Sequence, residues 1–265
     1  MLVVLALLFV LSGAAGLFYE SVWSRYLGLF VGHNAYAQVI VLVIFLGGMA
    51  IGAMIVGRIT DRIKEPLFGY AMIEFAIGLV GLFFQDIYVG VTNWAYTTVF
   101  PSTAGSVMLT VSKWGIAALL ILPQSILLGA TFPLMTAGAL RRLRSAPGRT
   151  LAVLYFANSL GAAVGVLIAG FYLIQTSGLP GTILAAAILN FVVAVGAMVA
   201  MKYHPDESLV SADGTGEPRD TGDHKGRPQT LPLAPATIHR LLLWTALGTA
   251  IASFVYEIAW IRMLS

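Results

Sequence analysis

The sequence contains no cysteine and few charged side chains. Only 10% of its 265 residues are Asp, Glu, Lys or Arg, whereas a soluble domain carries about 25%. Without cysteine, a disulfide framework and cysteine-ligated zinc or iron–sulfur sites are excluded. So few charges cannot cover the surface of a water-soluble fold of this size. The composition therefore excludes an ordinary soluble domain.

Several functional motifs are also missing. The chain has neither a GxxxxGK[ST] phosphate loop nor an HExxH metal motif. Its histidines lie in segments predicted as loops and lack metal-ligand spacing: His33, His204, His224 and His239. The net charge of +3 is small and no dense stripe of Lys and Arg occurs. We therefore expect no metal site, no cofactor and no nucleic-acid partner in this chain.

Long hydrophobic runs dominate what is present. Hydrophobic residues make up 58% of the chain, and its mean hydropathy is +0.88. A membrane-spanning helix needs about 20 mainly apolar residues. The stretches that qualify are 2–27, 36–56, 67–84, 108–140, 151–174 and 182–201. Residues 1–201 are thus predicted to form an all-α, six-helix membrane bundle, with kinks or a break at Pro123 and Pro133.

The segment 202–240 differs sharply from these runs. It is rich in Asp, Gly, Pro and Thr and has almost no apolar pattern, which predicts a disordered cytoplasmic linker. The apolar residues 241–265 then predict the start of a seventh transmembrane helix.

Basic residues predict the orientation of the bundle. They concentrate in the loops after the second and fourth predicted spans: Arg58, Arg62, Lys64, Arg141, Arg142, Arg144 and Arg149. The loops 28–35 and 175–181 contain none. By the positive-inside rule both ends of the six-helix unit are predicted to be cytoplasmic. The protein is predicted to be integral to a bacterial cytoplasmic membrane. The aromatic connection 85–107 is expected to lie along the outer interface.

An internal repeat links the first and seventh predicted spans. The pattern YExxWxRxL occurs at 19–27 and again at 256–264. The small residues before each acid match too, because Ser12, Gly16 and Glu20 correspond to Thr249, Ser253 and Glu257. This recurrence opposes a cleaved signal peptide at the amino terminus, because no cleavage site is expected near residue 250. A signal peptide would also need a basic leading region, which does not precede the first apolar run.

Six helices separate the two copies, so both enter the membrane with the same polarity. Parallel repeats of this kind are typical of major-facilitator proteins. Because the second repeat stops within its first helix, the chain is predicted to be a fragment of a longer protein. The simpler alternative is that the seventh helix ends the protein.

Polar residues inside predicted spans are the candidate substrate-binding residues, because they are costly in lipid and face the bundle interior or a wet cavity. They are Glu20, Trp23, Arg25, Glu74, Asn158 and Glu257. The alternative is a role in hydrogen bonding and packing between helices. Glycine pairs such as Gly48 with Gly52 and Gly161 with Gly165 are assigned to helix packing.

The loop 57–64, GRITDRIK, resembles the cytoplasmic loop signature of major-facilitator transporters. Ordinary positive-inside chemistry would explain the same residues.

Longer segments resemble one particular family. They are SGAAGLFYESVWSRYLG at 12–28, LPQSILLGATFPLM at 122–135, YFANSLGAAVGVLIAGF at 155–171, and the repeated YExxWxRxL. Together they resemble the membrane domain of spermidine-synthase-like multi-pass proteins, in which a major-facilitator-like unit is fused to a spermidine synthase. The resemblance implies a soluble aminopropyltransferase-like domain that binds decarboxylated S-adenosylmethionine and a polyamine. None of that domain's residues occurs here, so no catalytic residue is transferred to this chain.

Three functions follow as hypotheses. The first is a membrane domain that anchors and serves a polyamine aminopropyltransferase-like domain, with Glu20, Glu74 and Glu257 attracting a cationic polyamine. The second is a secondary transporter of the major-facilitator type for a small, cationic substrate. The third is a structural membrane subunit that binds a partner through its small-residue faces.

Overall fold

The computed structural model describes residues 1–32, 34–103, 105–143, 147–203 and 244, and every regular element within them is helical. The helices are α1 (Leu2–Val31), α2 (Asn34–Ile59), α3 (Pro66–Trp94), α4 (Phe100–Ser102), α5 (Ser106–Arg142), α6 (Pro147–Ile168) and α7 (Ile174–Tyr203). A 3-10 turn occupies Thr60–Arg62, and π-helical turns occupy Ala95–Val99 and Ala169–Leu173. The predicted all-α fold is confirmed in this part of the chain.

Five helical segments are long and apolar enough to cross a membrane, as an integral membrane protein requires. They are Leu2–Phe30, Ala37–Arg62, Pro66–Ser102, Val107–Arg142 and Pro147–Tyr203. The predicted count of six is not confirmed, because the last segment runs through 57 residues that include the predicted loop 175–181. Its one residue with non-helical backbone angles is Gly178, with φ 66° and ψ −174°.

The third helix is longer than predicted, and the helix that contains Pro123 and Pro133 is unbroken. The third continues past the predicted end at residue 84 to Trp94, so much of the predicted interfacial connection is helical. Hydrogen bonds to α1 accompany this extension: the Tyr88 hydroxyl donates to the Tyr26 carbonyl (2.9 Å) and the Tyr96 hydroxyl to the Phe30 carbonyl (3.2 Å). In α5 the helix runs through both internal prolines without a break.

Several glycines lie where two helices pack closely together. A Cβ added at Gly52 of α2 would lie 1.9 Å from the Ile126 carbonyl oxygen of α5, and one at Gly161 of α6 would lie 2.0 Å from the Val10 carbonyl oxygen of α1. In lipid, such small residues let backbones approach closely enough for van der Waals packing to hold helices together. The predicted packing role of these glycines is confirmed by these contacts.

Basic side chains at the end of α5 hold the loop between α2 and α3. The Arg141 guanidinium donates to the carbonyls of Thr60 (3.2 Å), Ile63 (2.7 Å) and Lys64 (2.9 Å). Arg142 forms a salt bridge with Glu65. The basic end of α5 and the loop between α2 and α3 therefore lie at the same end of the bundle.

The chain divides into two units, Met1–Ser211 and Ala212–Ser265, and the description here concerns the first. Residue 203 still belongs to α7. The rest of the predicted linker and the predicted seventh helix, including Glu257 and the second copy of the repeat, lie outside the described residues, apart from Trp244.

Candidate functional site

A buried polar cluster connects α1, α3 and α7. It consists of Ser12, Tyr19, Glu74 and Asn190, and we call it the Glu74 cluster. The Ser12 hydroxyl donates to Oε1 of Glu74 (2.5 Å), and Nδ2 of Asn190 donates to Oε2 (2.6 Å). The Tyr19 hydroxyl donates to Oδ1 of Asn190 (2.9 Å). Glu74, Tyr19 and Asn190 are each 0% exposed, so the cluster is sealed from lipid and water.

Glycines of α3 make room for this cluster. A Cβ added at Gly81 would lie 2.4 Å from the Tyr19 hydroxyl oxygen, and one at Gly78 would lie 2.9 Å from the Phe191 ring of α7. Because residues three and four apart share a helix face, Glu74, Gly78 and Gly81 form a single stripe. This stripe lets α1 and α7 approach α3 at the carboxylate.

Large buried side chains surround the Glu74 cluster. Trp23 stacks on Tyr19 with ring centroids 5.7 Å apart, and Nε2 of Gln124 donates to the Ile77 carbonyl (3.1 Å). Within the described residues, three buried polar side-chain atoms there have no hydrogen-bond partner: Nε1 of Trp23, the hydroxyl of Tyr70 and Oε1 of Gln124. The centre of the bundle therefore retains unused hydrogen-bonding capacity.

A cavity of about 620 Å³ opens on another side of α1. We call it the Glu20 cavity. Its polar wall consists of Glu20, Ser21, Ser24 and Arg25 from α1 and Gln38 from α2. The apolar part of its lining includes Val166 of α6 and Leu179 of α7. A volume of this size lies within the range of small-molecule sites, which combine apolar walls with a few polar groups.

The two charges of the Glu20 cavity differ in exposure. Glu20 is half-buried, with the Ser24 hydroxyl 3.5 Å from its Oε1, whereas Arg25 is exposed. A carboxylate and a guanidinium both form charge-assisted hydrogen bonds, which are stronger than those between neutral groups. The cavity can therefore bind a small polar molecule and orient it by charge.

The structure separates the candidate residues that the sequence placed in one group. Glu20 and Arg25 line the Glu20 cavity, whereas Glu74 lies in the Glu74 cluster. Trp23 is 0% exposed and packs among aromatic rings. Asn158 belongs to the contact between α6 and α1, where a Cβ added at Gly13 would lie 2.9 Å from its Oδ1.

Sequence reasoning did not place Tyr19, Gln38 or Asn190 among the site candidates. Asn190 could have been found, because it is an amide inside an apolar run and so meets the criterion that selected Asn158. Tyr19 precedes a selected acid, but its inward direction depends on the position of α7. Gln38 lies near the start of α2, and no local signal joins it to Glu20.

We compared the chain with protein-family models, with curated proteins and with solved structures, and found no match in any of the three.

Proposed function

We propose that this chain is the membrane domain of a spermidine-synthase-like protein and that its Glu20 cavity binds a small organic cation of the polyamine type. The observation that carries the proposal is a carboxylate, Glu20, in the wall of a cavity between apolar helices. An amine that enters a low-dielectric region needs a compensating negative charge. The family resemblance of the segments around Glu20 supports a polyamine as that amine.

In this proposal the domain anchors an aminopropyltransferase-like part of the protein and receives its amine substrate or product. The enzyme class is inferred from the family resemblance. The binding cavity is formed by residues that the structure describes. The catalytic step belongs to the aminopropyltransferase-like part. The membrane domain contributes a fixed position at the bilayer and a local binding site for the amine.

Arg25 makes it possible to test whether the ligand is a cation or an anion. Its guanidinium lines the same cavity as Glu20 and repels a cation. Neutralising Glu20 should therefore weaken polyamine binding, and neutralising Arg25 should strengthen it. An anionic ligand would show the opposite order, so the pair of variants identifies the sign of the ligand's charge.

The test is binding of radiolabelled spermidine to the full chain in lipid nanodiscs. We expect saturable binding that weakens about tenfold or more in Glu20→Gln, because removing one partner of a desolvated charge pair costs at least about 2 kcal/mol. Asp86→Asn is the matched control, since Asp86 is an exposed carboxylate on α3 away from the cavity. Equal affinity in the Glu20→Gln and Asp86→Asn variants would contradict the proposal.

A second candidate function is a secondary transporter of the major-facilitator type. A straight helix over residues 147–203 would be about 85 Å long, far more than the roughly 30 Å of a bilayer core. Gly161 of α6 and Gly196 of α7 both contact the same part of α1, at Val10 and Leu8. With the non-helical Gly178 between them, these contacts support two crossings in this segment and six in all.

Flux distinguishes the two candidates. The chain is reconstituted in vesicles that are preloaded with unlabelled spermidine, and labelled spermidine is added outside. A transporter exchanges the two pools and accumulates label inside the vesicles. A membrane domain that only anchors and binds retains label at the stoichiometry of its sites.

A further inference from the structure

The carboxyl group of Glu74 is enclosed among uncharged hydrogen-bonding side chains of the described bundle. The groups that face it are Ser12 and Tyr19 from α1, Tyr70 from its own helix and Asn190 from α7, and Gln124 from α5 lies beside Tyr19. Of these only the two tyrosines are titratable. In the part of the chain that the structure describes, no Lys, Arg or His side chain forms a salt bridge or hydrogen bond with Glu74. A carboxylate here would be an uncompensated buried charge.

We propose that Glu74 is a proton-binding site. It holds a proton while α1 is packed against α3 and α7, and it releases that proton to water when this packing loosens, which also moves the wall of the Glu20 cavity. The physical cause is desolvation. A buried, unpaired carboxylate costs several kcal/mol, so the closed bundle requires the neutral acid.

The Glu74 cluster can accommodate both forms of the carboxyl group. A serine hydroxyl both donates and accepts, so Ser12 can accept a hydrogen bond from the acid or donate one to the carboxylate. Asn190 donates to the other oxygen in either form. Tyr70, whose hydroxyl has no hydrogen-bond partner and is fully buried, offers one more donor to the charged form. These neighbours can therefore hydrogen-bond the carboxyl group both before and after it releases its proton, and the packing of the helices decides which form is present.

Helix α1 connects this site to the Glu20 cavity. Tyr19 and Glu20 are consecutive, and consecutive residues point about 100° apart on a helix. The first therefore reaches the Glu74 cluster while the second lines the cavity. Helix α7 makes a similar connection, since it carries Asn190 of the cluster and Leu179 of the cavity wall. Displacing α1 from α3 changes both regions together.

Infrared difference spectroscopy tests the proton directly. The difference between the spectra of the chain in nanodiscs at acidic and at alkaline pH should contain the carbonyl stretch of one buried carboxylic acid. We expect this band to be lost in Glu74→Gln and kept in Glu20→Gln. A spectrum without such a band, or a band that survives Glu74→Gln, would overturn the proposal. Glu74→Asp retains a carboxyl and should retain a shifted band, so the test does not depend on the folding of one variant.

Cysteine labelling tests the movement of the cavity wall. The chain lacks cysteine, so Ser21→Cys places a single thiol in the Glu20 cavity. At alkaline pH we expect a water-soluble thiol reagent to label this variant at least about fivefold faster than the same variant carrying Glu74→Gln, as typical coupling energies imply. Comparison at one pH cancels the effect of thiolate fraction on reactivity.

The control thiol is Val107→Cys, at the exposed start of α5. Its labelling rate should not depend on residue 74. Equal Ser21→Cys rates with Glu74 and with Gln at that position, at every pH, would overturn the coupling. Neither readout requires spermidine. Failure of polyamine binding and failure of the proton site are therefore separate results.

Discussion

Two polar regions lie on different sides of the same helix, and each contains one carboxylate. In the Glu74 cluster the acid is fully buried, and neutral donors from α1 and α7 occupy both of its oxygens. In the Glu20 cavity the acid is half-buried and shares an open space with a guanidinium. The chemistry of an intramembrane acid is therefore set by the groups that face it across the helix interface.

The largest expected difference between the two regions is in how far the free energy of unfolding falls when the carboxylate of each is removed. Glu74→Ala leaves the Ser12 hydroxyl and the Asn190 amide without an acceptor and creates a void, so the free energy of unfolding should fall by about 2–4 kcal/mol. Glu20→Ala should change it by no more than about 0.5 kcal/mol. Denaturant titration of both variants in detergent micelles measures this. Equal losses would mean that the two acids have the same structural role.

A glycine pair extends the same comparison to the backbone. Gly161→Ala places a Cβ against the Val10 carbonyl, which cannot move as a flexible side chain can. We expect a loss of about 1–3 kcal/mol in the free energy of unfolding. Gly170, in the wall of the Glu20 cavity, has nothing within 4 Å of an added Cβ. Gly170→Ala should stay within about 0.5 kcal/mol of the wild-type chain, and an equally large loss there would refute the distinction.

The smallest of these effects concerns one hydroxyl group. Tyr19→Phe removes the donor to Asn190 but keeps the ring that stacks on Trp23. Hydrogen bonds between membrane helices contribute about 0.6–1.7 kcal/mol, and we expect a loss in that range. Tyr172→Phe is the control, because Tyr172 is exposed on α6's π-helical extension. The free energies of unfolding of the two variants, measured by thermal unfolding, should differ by this amount. Identical unfolding curves would exclude the hydrogen bond.

The helices themselves were predictable, because hydropathy over about 20 residues is a local property of the chain. Their ends were less so. The extension of α3 to Trp94 accompanies contacts of Tyr88 and Tyr96 with α1, and such contacts between distant segments have no local signal. The predicted loop 175–181 is helical except for a kink at Gly178, whose backbone angles are non-helical.

The sequence predicts the candidate site only as a set of polar residues that are energetically unfavourable in lipid. Glu20 and Glu74 are chemically equivalent in the sequence, and both precede or follow small residues at helical spacing. Their separation into a cavity and a closed cluster depends on Asn190 and Gln38, which lie far away in the chain. Membership in the spermidine-synthase-like family and equivalence of Glu20 with Glu257 stay predictions.

The difference between the two faces of α1 can be measured most directly by labelling two serine positions in this cysteine-free chain. Ser21→Cys lies in the Glu20 cavity and Ser12→Cys in the Glu74 cluster, where the native serine is 3% exposed. With a membrane-impermeant thiol reagent in nanodiscs at neutral pH, Ser21→Cys should react, spermidine should slow that reaction, and Ser12→Cys should stay unlabelled. Equal labelling at both positions, or a Ser21→Cys rate that spermidine does not change, would contradict the assignment of one closed and one ligand-binding face.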